Sequence, residues 1–245
     1  MQLREPCAAS TEALLRETDQ RSYQAISSSP LPEIEVSPIV TPLQDRHIKK
    51  ASKSWVDAFE KDPNRKQTPD VKDATQIIMF CVMVYWRRRK IALTVDAGAS
   101  IIFCTAPKSP RSLFDRCADW RAAEVQAKVK TAVSRSLGNR VEKMLYIDTL
   151  ATEPTSQGWG YGGALLDSVG ALADVTNQAV WLQSTNERNA SFYLSHGYST
   201  IDEAVIGDDN PNWHGAPVII KIMVREPRPQ RAARTDERQG FVNLV

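Results

Sequence analysis

The chain has 245 residues, of which 42% are hydrophobic and 24% charged, and its formal net charge is +2. This suits one soluble globular domain of about 200 residues with tails. The small, scattered positive charge makes no case for nucleic acid. The histidines His47, His196 and His214 lack metal-ligand spacing, and the apolar run Ile77–Trp86 is too short to cross a membrane, which takes about 20 residues. Cys81 and Cys104 sit in apolar runs and no CxxC pair occurs. They read as buried thiols of a reducing compartment, the cytoplasm, with the nucleus also allowed.

Residues 1–30 are polar, show no sustained period and are expected to form a mobile tail. Glu33–Val40 alternates, with Ile34, Val36 and Ile39 inward, and predicts a first strand in which Pro38 marks an edge or a bulge. Asp45 is placed to cap a helix carrying Ile48, Ala51, Trp55 and Phe59 on one face, ended by Asp62-Pro63. Thr68-Pro69-Asp70 starts a second helix that runs to about Arg88 and is buried near its second half. Lys90–Val95 and Ser100–Thr105 flank Asp96-Ala97-Gly98 as an antiparallel hairpin. Beyond Ser109-Pro110, Leu113, Cys117, Trp120, Val125, Val129, Val133 and Leu137 mark one face of a long helix closed by Gly138-Asn139.

Met144–Thr152 is then a strand, Ala164–Leu172 a helix and Ala179–Gln183 a short buried strand. Asn186–Ser195 is a helix stopped at Gly197, and Thr200–Ile206 and Pro217–Val224 are two closing strands. Residues 228–245 form an Arg- and Pro-rich tail, expected to be disordered. The order β-α-α-β-β-(α)-β-α-β-α-β-β predicts an α/β mixed sheet with helices on both faces.

Between the strand at Met144–Thr152 and the helix after it stands Gln157-Gly158-Trp159-Gly160-Tyr161-Gly162-Gly163. Glycines leave the backbone bare, and bare amides at a helix start form an anion site, most often for phosphate. Gly158-x-Gly160-x-x-Gly163 satisfies the letters of a dinucleotide motif. However, Glu153-Pro154-Thr155-Ser156 separates strand from glycine, and the next strand ends in Gln183-Ser184-Thr185 with no ribose-binding acid. No Gly-Lys-Ser/Thr follows, so a P-loop is absent.

Gln157-x-x-Gly160-x-Gly162 resembles the acyl-CoA-binding motif of the GNAT family, the Gcn5-related N-acetyltransferases. Asn189-x-x-Phe192-Tyr193-x-x-x-Gly197-Tyr198 resembles that family's closing helix, with Tyr198 where Phe is usual. Ala58-Phe59-Glu60-Lys61-Asp62-Pro63 resembles its first-helix ending, and Met223-Val224-Arg225-Glu226-Pro227 the ending of fungal members. The resemblance implies a GNAT-like domain over residues 31–227 that moves an acetyl group from acetyl-CoA to a primary amine, by direct attack through a tetrahedral intermediate.

By this resemblance the pyrophosphate of coenzyme A lies on the amides of Gly158, Gly160, Tyr161, Gly162 and Gly163, within the stretch Gln157–Gly163. Trp159 and Tyr161 point their side chains away. The pantetheine arm pairs with Leu150, Ala151 and Thr152, where the central strand splays from its neighbour. Tyr193 stands where the family often has a general acid and also borders the cofactor, and Asn189 where an Asn often contacts it.

Asp148 is the one carboxylate inside the central strand. Burying a carboxylate is costly and invites a functional explanation, so it reads as base or substrate anchor, or else as an outward hydrogen-bonded Asp. Strand alternation puts it on one side with Tyr146 and Leu150. Asp202, Glu203, Asp208 and Asp209 could attract a cationic amine. The expected partners are a small-molecule or peptide amine, with no metal, nucleic acid or membrane, in a monomer or dimer. The alternatives are a non-catalytic CoA-binding module and a dinucleotide-binding protein.

Overall fold

The computed structural model describes residues 37–60, 69–109, 123–186, 188–208 and 216–229. All the elements belong to the unit Pro38–Val245. Seven strands form one sheet: β1 Val40–Pro42, β2 Ile91–Val95, β3 Ser100–Thr105, β4 Leu145–Thr152, β5 Val180–Ser184, β6 Ser199–Ile206 and β7 Val218–Arg225. Their spatial order is β1-β2-β3-β4-β5-β7-β6. Every neighbouring pair is antiparallel except β4 and β5, which run parallel. The described helices are α1 Ile48–Ala58, α2 Pro69–Arg87, α3 Ala123–Ser136, α4 Tyr161–Val175 and α5 Arg188–Ser195. None is long and apolar enough to cross a membrane.

Side-chain alternation divides the core between the two faces of the sheet. On one face, Leu145, Ile147, Val180, Leu182 and Met223 pack against Leu165, Leu166 and Val169 of α4 and Tyr193 of α5. The opposite face is covered in two parts. Helices α1 and α2 cover Ile101, Phe103 and Ala151, while α3 covers Trp181, Ile220, Ile222 and Val224. Each fully buried Leu or Val contributes about 1.5–3 kcal/mol of transfer free energy. Among the described residues, α3 is the extra helix expected before the central strand; Leu113, Cys117 and Trp120 lie outside the described residues.

Four local expectations differ from the structure. The first strand starts at Val40, and Ile39 is exposed; Pro38 has no N–H for a ladder, and Glu33–Val36 lies outside the described residues. Asp45 caps nothing. Its carboxylate accepts a hydrogen bond from Arg87 Nη2 at 2.7 Å, which ties the start of α1 to the end of α2. Cys81 is exposed, because α2 turns Met79, Val82, Met83 and Trp86 inward and leaves Cys81 on its other side.

The fourth concerns β4. Cys104 pairs with Ile147 and Phe103 with Thr149, which leaves Asp148 as an extra residue, a β-bulge. The bulge reverses the alternation beyond it. Leu150 joins Leu145 and Ile147 on the α4 face, whereas Tyr146 packs beneath α3. Asp148 and Leu150 therefore do not share a side in the way strict alternation predicts.

One buried ion pair locks the last strand to the sheet's main helix. The Arg225 guanidinium, at the end of β7, donates to both oxygens of Asp174 on α4 at 2.8 and 2.7 Å, and the Arg228 amide adds a third bond at 2.7 Å. The guanidinium has room because Gly170 lacks a side chain: a Cβ there would lie 3.1 Å from Arg225 Cζ. The Arg225 hydrogen bonds, aided by the Arg228 amide, hold the Asp174 carboxyl down at about 2.

Asp174→Ala leaves a buried arginine unpaired and is expected to lower stability by about 3 kcal/mol in urea unfolding at neutral pH. The contribution of Asp174 is fully present above its ordinary value of 3.8 and is lost as pH falls toward 2. The difference between wild type and variant should therefore shrink over that window, and a constant difference would remove the linkage.

Candidate active site

The site is built where β4 parts from β5. The β4–β5 ladder contains two pairs, Leu145↔Val180 and Tyr146↔Trp181. Beyond the Tyr146↔Trp181 pair the strands diverge, so the β5-facing edge of β4 from Leu150 to Thr152 has no ladder partner. That stretch includes Leu150, Ala151 and Thr152, expected to flank an extended amide-bearing ligand. Backbone groups without a protein partner require another one.

The glycine turn lies just past this edge. A short 3-10 turn, Pro154–Ser156, links β4 to it, and Gln157 Nε2 donates to the Thr152 carbonyl at 3.1 Å. Gly158 and Gly160 both adopt left-handed backbone, φ +84° and +74°. Gly160 is the residue before α4, and no side chain caps that helix. The first amides of α4, including those of Tyr161, Gly162 and Gly163, are thus left without side-chain partners at the positive end of a 15-residue helix. The space beside Gly158 is open: nothing lies within 4 Å of where a Cβ there would stand. Trp159 is 70% exposed, while Tyr161 packs partly buried against the core.

Helix α5 closes the other side. Phe192 approaches Gly162, where a Cβ would lie 3.4 Å from its ring. Tyr193 is buried, in contact with the Tyr198 ring at 6.0 Å and the Phe192 ring at 5.4 Å. Desolvation pushes its phenol up to about 12, so it keeps its proton across the physiological range. The Tyr198 hydroxyl is buried without a hydrogen-bond partner and is likewise pushed up, chiefly by desolvation. Asn189 is exposed in the first turn of α5.

The bulge aims Asp148 into a polar cluster on the opposite face. One carboxylate oxygen meets Lys90 Nζ at 2.6 Å, and the other accepts from Thr105 Oγ1 at 2.7 Å. The Lys90 and Asp148 side chains are only 6% and 11% exposed. Lys90 also stands 4.2 Å over the Trp86 ring. Beside them Tyr146 stacks on Trp181 at 4.2 Å, and Trp55 Nε1 donates to Thr149 Oγ1 at 2.9 Å. Buried Cys104 lies near this pair, and burial pushes its thiol up. Asp148 thus has two strong partners within the chain.

Lys90 and Thr105 are the polar residues that sequence reasoning missed here. Lys90 closes a basic run, Arg87-Arg88-Arg89-Lys90, that looks uniformly solvated. Its position at the start of an apolar strand was the available signal.

His196 also lies closer to the turn than a loop residue would. Its Nδ1 is 2.9 Å from Asp167 Oδ1, and its ring meets Phe192 edge-on at 4.9 Å. A Cβ on Gly163 would stand 3.0 Å from its Cε1. Two of the four acids expected to draw in a cationic amine, Asp202 and Asp208, are already engaged with the extra helix, while Glu203 is exposed on β6. Asp202 takes Arg135 at 2.9 and 2.5 Å, which lowers its carboxyl, and Asp208 pairs with Lys128. Asp209 and His214 lie outside the described residues. Among the described residues no cluster of His, Cys, Asp and Glu could hold a metal ion.

No family model and no curated protein matches this sequence. Solved structures do match. A histone acetyltransferase HPA2 and related acetyltransferase from Corynebacterium glutamicum is 19% identical, covers 80% of this chain and 100% of its own, and superposes with a TM-score of 0.53. A Gcn5-related N-acetyltransferase from Rhodopseudomonas palustris is 12% identical over 78% and 96% of the two chains, TM-score 0.47. Naa20 from Chaetomium thermophilum, in complex with a bisubstrate analogue, is 16% identical over 77% and 86%, TM-score 0.46. The first likeness establishes a shared fold with that acetyltransferase, a mixed, mostly antiparallel sheet with helices on both faces. A doubly wound parallel sheet, which the dinucleotide reading requires, is not what the strand pairing describes.

Gly160→Ala puts a Cβ on left-handed backbone ahead of α4. We expect it to cost about 1–2 kcal/mol in chemical denaturation. An unchanged midpoint would mean that the turn relaxes without strain.

Proposed function

We propose that the chain is an acyl-CoA-dependent N-acyltransferase, using acetyl-CoA as donor and a primary amine of a small molecule or peptide as acceptor. One observation carries this reading: the unpaired edge of β4 and the uncapped, glycine-rich start of α4 meet at the same end of the sheet. The first offers backbone partners to an amide-rich arm, the second offers N–H groups and helix dipole to a pyrophosphate. Gly158, Gly160, Tyr161, Gly162 and Gly163 would hold the phosphates, and Leu150, Ala151 and Thr152 the arm. Asn189 and Gln157 would border them, Gln157 by fixing the Thr152 carbonyl. Trp159 would contribute only backbone. Bound there, acetyl-CoA supplies an acyl group on a good leaving thiolate.

The chain's own groups then manage protons and charge. The amides of Leu150 and Thr152, on the unpaired edge, are proposed to steady negative charge developing on the acyl oxygen, since Glu153 N–H bonding to the Ala99 carbonyl turns the Ala151 amide toward β3. Tyr193, kept protonated by burial, is proposed to donate its O–H toward the departing sulfur. Asp148 is proposed to receive the ammonium proton at an oxygen it shares with Lys90 or Thr105. The acetyltransferase name of the Corynebacterium glutamicum protein is consistent with this activity. The free thiols Cys81 and Cys104 suit a cytoplasmic setting.

The test is acetyl-CoA consumption with a panel of amines, beside a calorimetric titration of coenzyme A. Binding without transfer to any amine would favour a non-catalytic CoA module, and no binding would defeat both readings. Tyr193→Phe should lower kcat by ~10²–10⁴; a loss of only a few-fold ends the role of general acid. Asp148→Asn should remove the acidic limb of the rate profile. If it lowers stability and leaves that limb in place, Asp148 is a structural partner of Lys90.

A further inference from the structure

Helix α2 is apolar on both long sides. Met79, Val82, Met83 and Trp86 are buried toward the sheet. The other side shows water a stripe of Ile77, 66% exposed, Phe80, 40% exposed, and Cys81, also exposed, with Val84 half-buried beyond them. Ile78, 53% exposed, flanks it. At steps of three and four residues the stripe reaches Asp73 at its N-terminal end and Arg88 just past its C-terminal end, both exposed. Neither takes part in an ion pair among the described residues. A contiguous apolar stripe on a surface helix is not sustained by water alone and marks an interaction surface.

The charges at its two ends say what kind of partner fits. Asp73 and Arg88 are equally distant in sequence from the point between Phe80 and Cys81, and so are Ile77 and Val84. The stripe is therefore complementary to itself when reversed. We propose that a second copy of this chain docks here, with the two α2 helices antiparallel across a two-fold axis between Phe80 and Cys81. Asp73 of each copy then faces Arg88 of the other, at both ends of a contact about 22 Å long. Ile77 meets Val84, and Phe80 meets Cys81, at the dry centre. A partner of uniform charge would satisfy one end and be repelled at the other. A second copy satisfies both ends.

Sedimentation equilibrium of the full-length protein from about 1 to 100 µM reads this directly, since a one-helix interface of modest area gives a weak, reversible dimer. Asp73→Arg or Arg88→Asp alone should weaken association about tenfold or more, because each creates like charges at both ends. The two together should restore it with the polarity reversed, and Ile77→Asp should leave only monomer. Circular dichroism of each variant confirms that α2 persists, as expected for exposed positions. A wild-type chain that stays monomeric throughout that range overturns the proposal, and so does a dimer that the double reversal fails to restore.

Discussion

A strand inside a sheet must satisfy backbone groups on both edges, and β4 does so on one only. It pairs with β3 along its length, yet stays with β5 for two residues. The rest of the site follows from that separation. It opens the edge at Leu150–Thr152 and leads the chain into the glycine turn. It also leaves α5, after β5, free to lean toward α4 with Phe192 against Gly162. A divergence of this kind would be unfavourable in a purely structural sheet, because unpaired buried amides each cost ~1–3 kcal/mol.

The fold supports this open seam with paired charges on both sides of it. Asp174 and Arg225 fasten α4 to β7. Lys90 and Asp148 bridge β4 to the chain just before β2, on the face under α1 and α2. Arg135 and Asp202 fasten α3 to β6. The first two pairs are largely buried, so each holds geometry through the penalty of breaking it more than through net stabilisation. The extra helix α3 pairs with Asp202 on β6 and with Asp208 in the loop after it, which takes two of the acids out of any electrostatic lure for a cationic acceptor.

Much of this was legible in the sequence for physical reasons. Strong periodicity located α1, α2, the β2–β3 hairpin and the helix after the glycine turn to within a few residues. The glycines before a helical pattern announced bare amides at a helix start, and Gly197 announced the end of the helix that carries Tyr193. Asp148 was visible as a charge within an apolar strand, but its surroundings were not. A bulge inserts a residue without leaving a compositional trace, so alternation placed Leu150 on the wrong face. Long-range partners were equally hidden: nothing in the spacing links Asp45 to Arg87 or Asp202 to Arg135. Cys81 was misjudged because α2 is apolar on both sides, and composition cannot tell which side faces the sheet.

The central claim is that the open edge of β4 and the amides of the glycine turn together form one cofactor cradle. Amide hydrogen exchange with and without coenzyme A tests it most directly, because it reads those N–H groups one segment at a time. The account predicts slowed exchange at Leu150–Thr152 and at Gly158–Gly163 on addition of coenzyme A, with β6 and α3 unchanged. Protection confined to other segments, or none at either of these two, would contradict it.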